Sequence, residues 1–392
     1  MPPATGRFVA GTVGDVPTVD GPMMRLPGSD QFVLVVGAWL LMLSLVGLGI
    51  AVVLRWRRRR SSELPVSWRS PAIAVTLVLA LLGAGMVVAN RPYAFRVPEF
   101  PPVGPLLPPN SFFSSTVTDL PVAPDSTRWL DSQRDSNGDL FPLTPGAYGS
   151  VTNGVVFGIP FNVVDDSTPR YDVDIKRFPK SSYDGPIPIS DPAYIQSLPA
   201  YGIDNHYVAI DPAGRRMWEL LAARRWFGRW EADSAALWNL DDLTFPAWST
   251  TASGLPLLPG VYTYDQVASG RIDHVILCTT PVIRKPDPIW PAQASDGRSA
   301  DPDAPPMGAW LRLRPNAPLD ALGPQARVIA RAMQEHGIVI SDTGGNFALR
   351  GTPDARWDDR DLRTLSTLSA EDFEVVDASS LEVSPDSMAA RP

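Results

Sequence analysis

The chain of 392 residues has a single cysteine, Cys278, so no internal disulfide can form and whatever folds must be held by its core. It contains no Cys-x-x-Cys and no Cys/His pairing, which excludes a structural zinc site; no metal ligand set is expected. It also lacks a basic excess. Lys and Arg number 34 against 42 Asp and Glu, a formal charge of −8, and a nucleic-acid partner is excluded because phosphate neutralisation needs clustered cations on the folded part. No repeat of fixed period is present, so a solenoid is excluded. Gly344 and Gly345 are not followed by a helical pattern, so no phosphate nest forms and no nucleotide or other cofactor is expected.

What the chain does have is two long apolar runs. Residues 32–54 carry no charge and, at about 1.5 Å per residue, reach roughly 34 Å as a helix. Residues 71–89 form a second uncharged run opened by Pro71. Between them, residues 55–70 hold Arg55, Arg57, Arg58, Arg59, Arg60 and Arg69 against one acid, Glu63. Such a pattern predicts a two-helix transmembrane hairpin with a cytoplasmic loop. Both termini and the remaining domain are then extracytoplasmic, in a two-span protein of the cell membrane and cell surface. Membrane lipid contacts the arginines, and membrane-protein partners can pack on the two spans.

The rest of the chain divides by composition. Residues 1–31 are rich in Pro, Gly and Asp without apolar periodicity and are expected to be a disordered outer tail. Residues 90–109 are Pro-rich and read as a semi-rigid stalk. From 110 to 380, short apolar runs alternate with Pro, Gly and Asp, the pattern of many strands joined by turns. One helix is expected over 324–336, where Val328, Ile329, Ala332 and Met333 share a face between Pro324 and Gly337. A shorter one follows Pro353. The fold class is mainly β, a sandwich or jelly-roll-like outer domain with one or two helices, and residues 381–392 are expected to be a loose tail.

Candidate chemistry centres on YGIDNHYVAIDPAGRRMWELL, residues 201–221, which reads as a hairpin turning through Asp211-Pro212-Ala213-Gly214. A regular two-residue loop sets His206 opposite Glu219, where a histidine beside a carboxylate is a tunable proton carrier. A bulge at Gly214 instead sets His206 opposite Leu220 and Glu219 opposite Tyr207. Both registers are open to the sequence. Asp273 and His274 enter a strongly apolar strand; as neighbours they face opposite sides, so they cannot both serve one pocket unless they lie at its twisted end. Cys278 shares the face of His274 but lies about 13 Å along the strand, too far for a thiolate pair, and reads as a core residue. Asp342 ends a strand and leads into Gly344, Gly345 and Asn346, a polar mouth or a plain Gly-rich turn. Asp135, Asn137 and Asp139 imitate the first ligands of a calcium loop but lack its sixth-position glycine and its glutamate at twelve, so a polar turn is expected. Of the many tryptophans, Trp226, Trp230 and Trp290 sit in Arg- or Pro-rich, loop-like context, where flat rings suit the apolar faces of sugars.

Residues 107–377 resemble a widespread group of secreted bacterial β-rich proteins of no established activity. The likeness runs through YGIDNHYVAID, GLPLLPGVYTYDQVASGRIDHVILCTTP, PPMGAWLRL, ARVIARAMQEHGIVISDTGGN, RGTPDARWDDRDL and FEVVD. Members usually read Trp-Pro-Ala-Arg-His where this chain has Trp290-Pro291-Ala292-Gln293-Ala294, so an Arg and a His are missing. If that pair belongs to the group's site, the departure implies binding without catalysis. The group's polysaccharide-rich setting implies a glycan ligand. The expected function is therefore binding of a cell-envelope or exported polysaccharide, with hydrolysis by Asp204, Glu219, Asp273 or Asp342 where two carboxylates converge. The alternative is a non-catalytic component of a membrane or cell-surface assembly.

Overall fold

A computed structural model describes residues 97–150, 156–196, 204–226, 228–247, 249–285, 287–345 and 347–392. Its strands in chain order begin with β1 (Asn162–Val163), β2 (Arg170–Tyr171), β3 (Val173–Ile175), β4 (Ile187–Pro188), β5 (Tyr207–Asp211), β6 (Arg216–Leu221) and β7 (Arg224–Trp226). They continue with β8 (Arg229–Ala232), β9 (Ser234–Asn239), β10 (Ile276–Thr280), β11 (Trp310–Leu313), β12 (Ile338–Thr343), β13 (Ala348–Leu349) and β14 (Phe373–Val376). The helices are α1 (Ser126–Asp131), α2 (Tyr264–Ser269), α3 (Pro324–Glu335) and α4 (Asp359–Leu362).

Two sheets do most of the building. One has the order β1-β5-β6-β9, the other β13-β10-β12-β11-β14. Strand alternation sorts their side chains into layers. Val208, Ile210, Met217, Ala236 and Trp238 of the first sheet share one core with Leu277, Trp310 and Val339 of the second. The opposite face of the second sheet, Ile276, Leu311, Ile338 and Ile340, packs on Ile329 and Met333 of α3. The far face of the first sheet, Tyr207, Ala209, Trp218 and Leu220, packs under the small pairings β3-β8-β7 and β2-β4. Strands buried on both faces, such as β5 and β10, accordingly read as unbroken apolar runs.

The expected β-rich character holds. Two sheets do enclose one core, but the larger is mixed: β10 runs parallel to β12, while β11, β13 and β14 pair antiparallel. α3 starts with proline, Gly337 just beyond it takes φ +73°, and the Asp361 carboxylate accepts from the free N–H groups of Gln325 and Ala326 at 2.9 and 3.0 Å. α2 opens with a Thr263/Gln266 capping box.

The membrane hairpin is corrected. Among the described residues no helix is long and apolar enough to cross a membrane. α3 has 12 residues, about 18 Å at 1.5 Å per residue, against a hydrocarbon core of roughly 30 Å. The runs 32–54 and 71–89, the loop between them and the tail 1–31 lie outside the described residues. The fold stands as the β-rich domain, without the two-span hairpin or the cell-membrane placement and lipid contact drawn from it.

Both ends of the domain differ from expectation too. Val97, Phe100 and Leu107 of the Pro-rich stretch are buried, and the Phe100 N–H donates to Asp354 at 3.0 Å, so this stretch lies against the domain. The final residues are held as well. Ser111 bridges Ala389, Met388 is buried, and Trp290 Nε1 donates to the Ser387 carbonyl at 3.0 Å. In each case apolar side chains between prolines or serines supply the burial that composition averages away.

Candidate functional site

The hairpin of β5 and β6 takes neither expected register. Asp211 pairs with Arg216, so the loop is Pro212, Ala213, Gly214 and Arg215. Its left-handed position is filled by Arg215 at φ +51°, not by Gly214. Gly214 is needed for another reason: its N–H donates to the Asp211 carboxylate at 2.8 Å, and a Cβ there would collide with that carboxylate. Val208 therefore faces Glu219, and Tyr207 faces Leu220. His206, two residues before Val208, shares the face of Val208 and Glu219, the face turned to the inter-sheet core.

On the other wall of that core a bulge sets the chemistry. β12 runs beside β10 with Cys278 opposite Ile340 but Thr279 opposite Asp342, leaving Ser341 as the extra residue; its hydroxyl donates to the Cys278 carbonyl at 3.2 Å. The shift brings Asp342 level with Thr279, which shares the face of the core residue Leu277. Arg350 follows β13, where its N–H donates to the Leu277 carbonyl at 2.8 Å, and it joins the same face. Its Nη2 meets Asp342 Oδ2 at 3.1 Å, with 12% and 17% of the two side chains exposed. Gly344 then passes so close to Thr279 that a Cβ would lie 2.5 Å from its hydroxyl.

The result is a polar rim at one end of the inter-sheet core. Burial, with the nearby charges of Asp296 and Asp204, raises the Asp342 carboxyl to about 7 against the opposing pull of Arg350. Asp296 is fixed by Thr343, whose hydroxyl donates to it at 2.6 Å. Burial, helped by the Arg350 charge, lowers His206 to about 3, so it is neutral at ordinary pH. His206 Nδ1 and Arg350 Nε are two of ten buried side-chain polar atoms without a hydrogen-bond partner among the described residues. The structure thus brings together Asp204, His206 and Asp342, and adds Arg350 and Asp296, which sequence reasoning misses. Their only local signal is a polar residue at the end of a short apolar run, FALR, and an aspartate in a loop.

Glu219 has a different role. It is fully buried, its Oε2 accepts from the Thr250 hydroxyl at 2.6 Å and its Oε1 from the Leu257 N–H at 2.7 Å. Burial raises it to about 7 against these hydrogen bonds. It is a strut for the 249–257 loop, and that loop reaches the rim: the Ser253 N–H donates to the Ser341 carbonyl at 3.2 Å.

The remaining candidates fall elsewhere. Asp273 is exposed and pairs with Arg271. His274 lies just before β10, at the end of that strand away from Asp342; its Nδ1 contacts the Val275 carbonyl at 2.9 Å, and burial lowers it to about 4. Asp273 and His274 therefore do not join the rim, because β10 starts only at Ile276. Trp230 is buried under the first sheet, and Trp290 packs edge-on against Phe112 while its Nε1 is bound to Ser387. Trp230 offers no open stacking face, while Trp290 is partly exposed. Trp226 ends β7, and Asn346 lies outside the described residues. Cys278 is fully buried, which raises its thiol. Asp135 accepts from the Asn137 and Asp139 N–H groups at 2.8 and 3.1 Å, a turn. Among the described residues no group of three His, Cys, Asp or Glu could hold a metal ion.

Comparison of the chain with protein-family models, with curated proteins and with solved structures finds no match.

Proposed function

We propose that this domain binds a polysaccharide at the rim formed by Asp204, His206, Asp296, Asp342 and Arg350, with Asp342 as the group able to give a proton to a glycosidic oxygen. The observation that carries it is the pairing of unlike environments. Asp342 is held protonated up to about pH 7 by burial, beside the carboxylates of Asp204 and Asp296. Carboxyl groups whose surroundings push them apart supply an acid and a base to one bond. Cleavage is then a proton from Asp342 to the leaving oxygen, attack of water at the anomeric carbon, and transfer of the water's proton to Asp204. Arg350, whose Nη2 lies 3.1 Å from Asp342 Oδ2, orients the acid.

A non-catalytic reading is favoured by one observation. Gln293, which stands where the resembled group has arginine, commits its side-chain amide to the Pro385 carbonyl at 2.5 Å and the Pro291 carbonyl at 3.5 Å. On that reading the rim binds glycan without cutting it.

The test is incubation of the full chain with a panel of neutral and amino-sugar polysaccharides, scored by calorimetry and by mass spectrometry of released fragments. Binding with fragment release that stops in Asp342→Asn supports hydrolysis. Binding without release supports the second reading, and no binding to any polysaccharide overturns both.

A further inference from the structure

Resting on that reading of the rim, we propose that Thr343 is its positioning residue: the Thr343 hydroxyl fixes the Asp296 carboxylate at the rim, beside Asp342. The distance carries the first step. Thr343 Oγ1 lies 2.6 Å from Asp296 Oδ1, the length of a hydroxyl donating to a charged carboxylate oxygen rather than to a neutral one. The arginine of the rim is turned to Asp342, not to Asp296.

A circuit of contacts around Asp342 shows why a fixed carboxylate stands there. Asp342 lies between the bulge residue Ser341 and Thr343, and each of these two holds one side of the arm that carries Asp296. On the first side the Ser341 carbonyl accepts from the Ser253 N–H at 3.2 Å. The Ser253 carbonyl in turn accepts from the N–H groups of Gln293 and Ala294 at 2.7 and 3.2 Å. Gly254, at φ +80°, lets the two loops close, for a Cβ there would lie 2.9 Å from the Gln293 Cβ. Glu219 braces this side from below, since it holds Thr250 and Leu257 at the two ends of the 249–257 loop. On the second side Thr343, the last residue of β12, takes Asp296 itself. The backbone bonds bring the arm in as far as Ala294, but Asp296 is exposed, and an exposed carboxylate free to rotate spends its charge on water and salt. The Thr343 hydroxyl removes that freedom. A negative charge held near a buried carboxyl favours the protonated form, the state that a proton donor has to keep.

The experiment follows Asp342 by NMR in the full chain carrying 13C at the aspartate carboxyls, titrated between about pH 4 and 9, with the Asp342 signal identified by its loss in Asp342→Asn. Asp296→Asn removes the charge and keeps the shape, and the Asp342 midpoint is expected to fall by about one pH unit. Thr343→Val keeps a branched strand side chain and removes the hydroxyl, and a fall of about half that size is expected. Thr343→Ser returns the hydroxyl and is expected to restore the parental midpoint, which a general loosening of the strand end would not do. Melting temperatures of all three are checked against the parent. A midpoint that stays put in Thr343→Val or in Asp296→Asn, or that Thr343→Ser does not restore, overturns the positioning role and leaves the acid of the rim standing. A parental midpoint near the ordinary 3.8 overturns the acid reading and this inference with it.

Discussion

Glu219 and Asp342 are both buried acids, raised to about the same value, on facing walls of one inter-sheet core. They differ in what holds their oxygens. Each oxygen of Glu219 is taken by a donor that has no other task, the Thr250 hydroxyl and the Leu257 N–H. Asp342 is held by Arg350, which keeps Nε spare, beside a histidine with an unpartnered nitrogen. A raised carboxyl is thus no mark of a site by itself. Both arise from burial, and what separates the two acids is the partners of their oxygens, neutral donors for Glu219 and a guanidinium for Asp342.

The largest test of this contrast is Glu219→Ala. It strands a hydroxyl and an N–H in the core and should cost about 3 kcal/mol in urea unfolding, the penalty of unsatisfied buried groups. If the loss stays under about 1 kcal/mol, the strut assignment fails. His206→Leu should move the other way. Replacing a ring that buries an orphan nitrogen with an apolar side chain of similar size should add about 1 kcal/mol of stability while weakening glycan binding, the trade expected of a residue kept for function.

The two acids and the histidine also pull stability in opposite directions as pH changes. Glu219 rises from 4.5 to about 7 on folding, so between those values the folded chain keeps a proton the unfolded chain has lost, and stability falls as pH rises. Asp342 acts in the same direction between its ordinary 3.8 and about 7. His206 falls from 6.5 to about 3, so across that window the unfolded chain holds the extra proton and stability rises with pH. The opposed slopes overlap between pH 4.5 and 6.5. With two acids against one histidine, the three groups together make stability fall as pH rises across this window; melting temperatures should therefore fall less, or level off, in Glu219→Gln and fall more steeply in His206→Leu than in the parent. Identical profiles in both variants and parent would refute the opposition. Smallest of all, Asp273→Asn removes a surface partner of Arg271 and should change stability by less than about 0.5 kcal/mol and binding not at all, since exposed ion pairs are screened. A clear loss of binding there would place the site at the wrong end of β10.

Much of the frame is legible in the chain alone. The runs that form β5, β6, β10, β11, β12 and β14 stand out as apolar stretches between turn formers, and α3 is bounded by Pro324 and Gly337. The hairpin is visible, but its register is not, because a four-residue loop with Arg215 left-handed looks in sequence like a tight turn ending at Gly214. Asp204, His206 and Asp342 are visible as polar ends of apolar runs. Arg350 and Asp296 are not, for their place depends on β13 pairing with β10 and on the loop that Thr343 holds. Of the tryptophans, Trp230 misleads for a simple reason: its Arg neighbours suggest exposure, yet the ring is large enough to be drawn under a sheet, whereas Trp290 stays partly exposed as expected.

The order of residues is therefore enough to set which segments are strands, which one is a long helix, and which faces are apolar, because those follow from periods of 2 and 3.6 and from local turn chemistry. Which polar groups meet is settled only when the chain packs. One extra residue at Ser341 brings Asp342 level with Thr279, and the pairing of β13 with β10, far apart in the chain, brings Arg350 to Asp342. Neither a bulge nor a long-range pairing leaves a periodic trace in sequence.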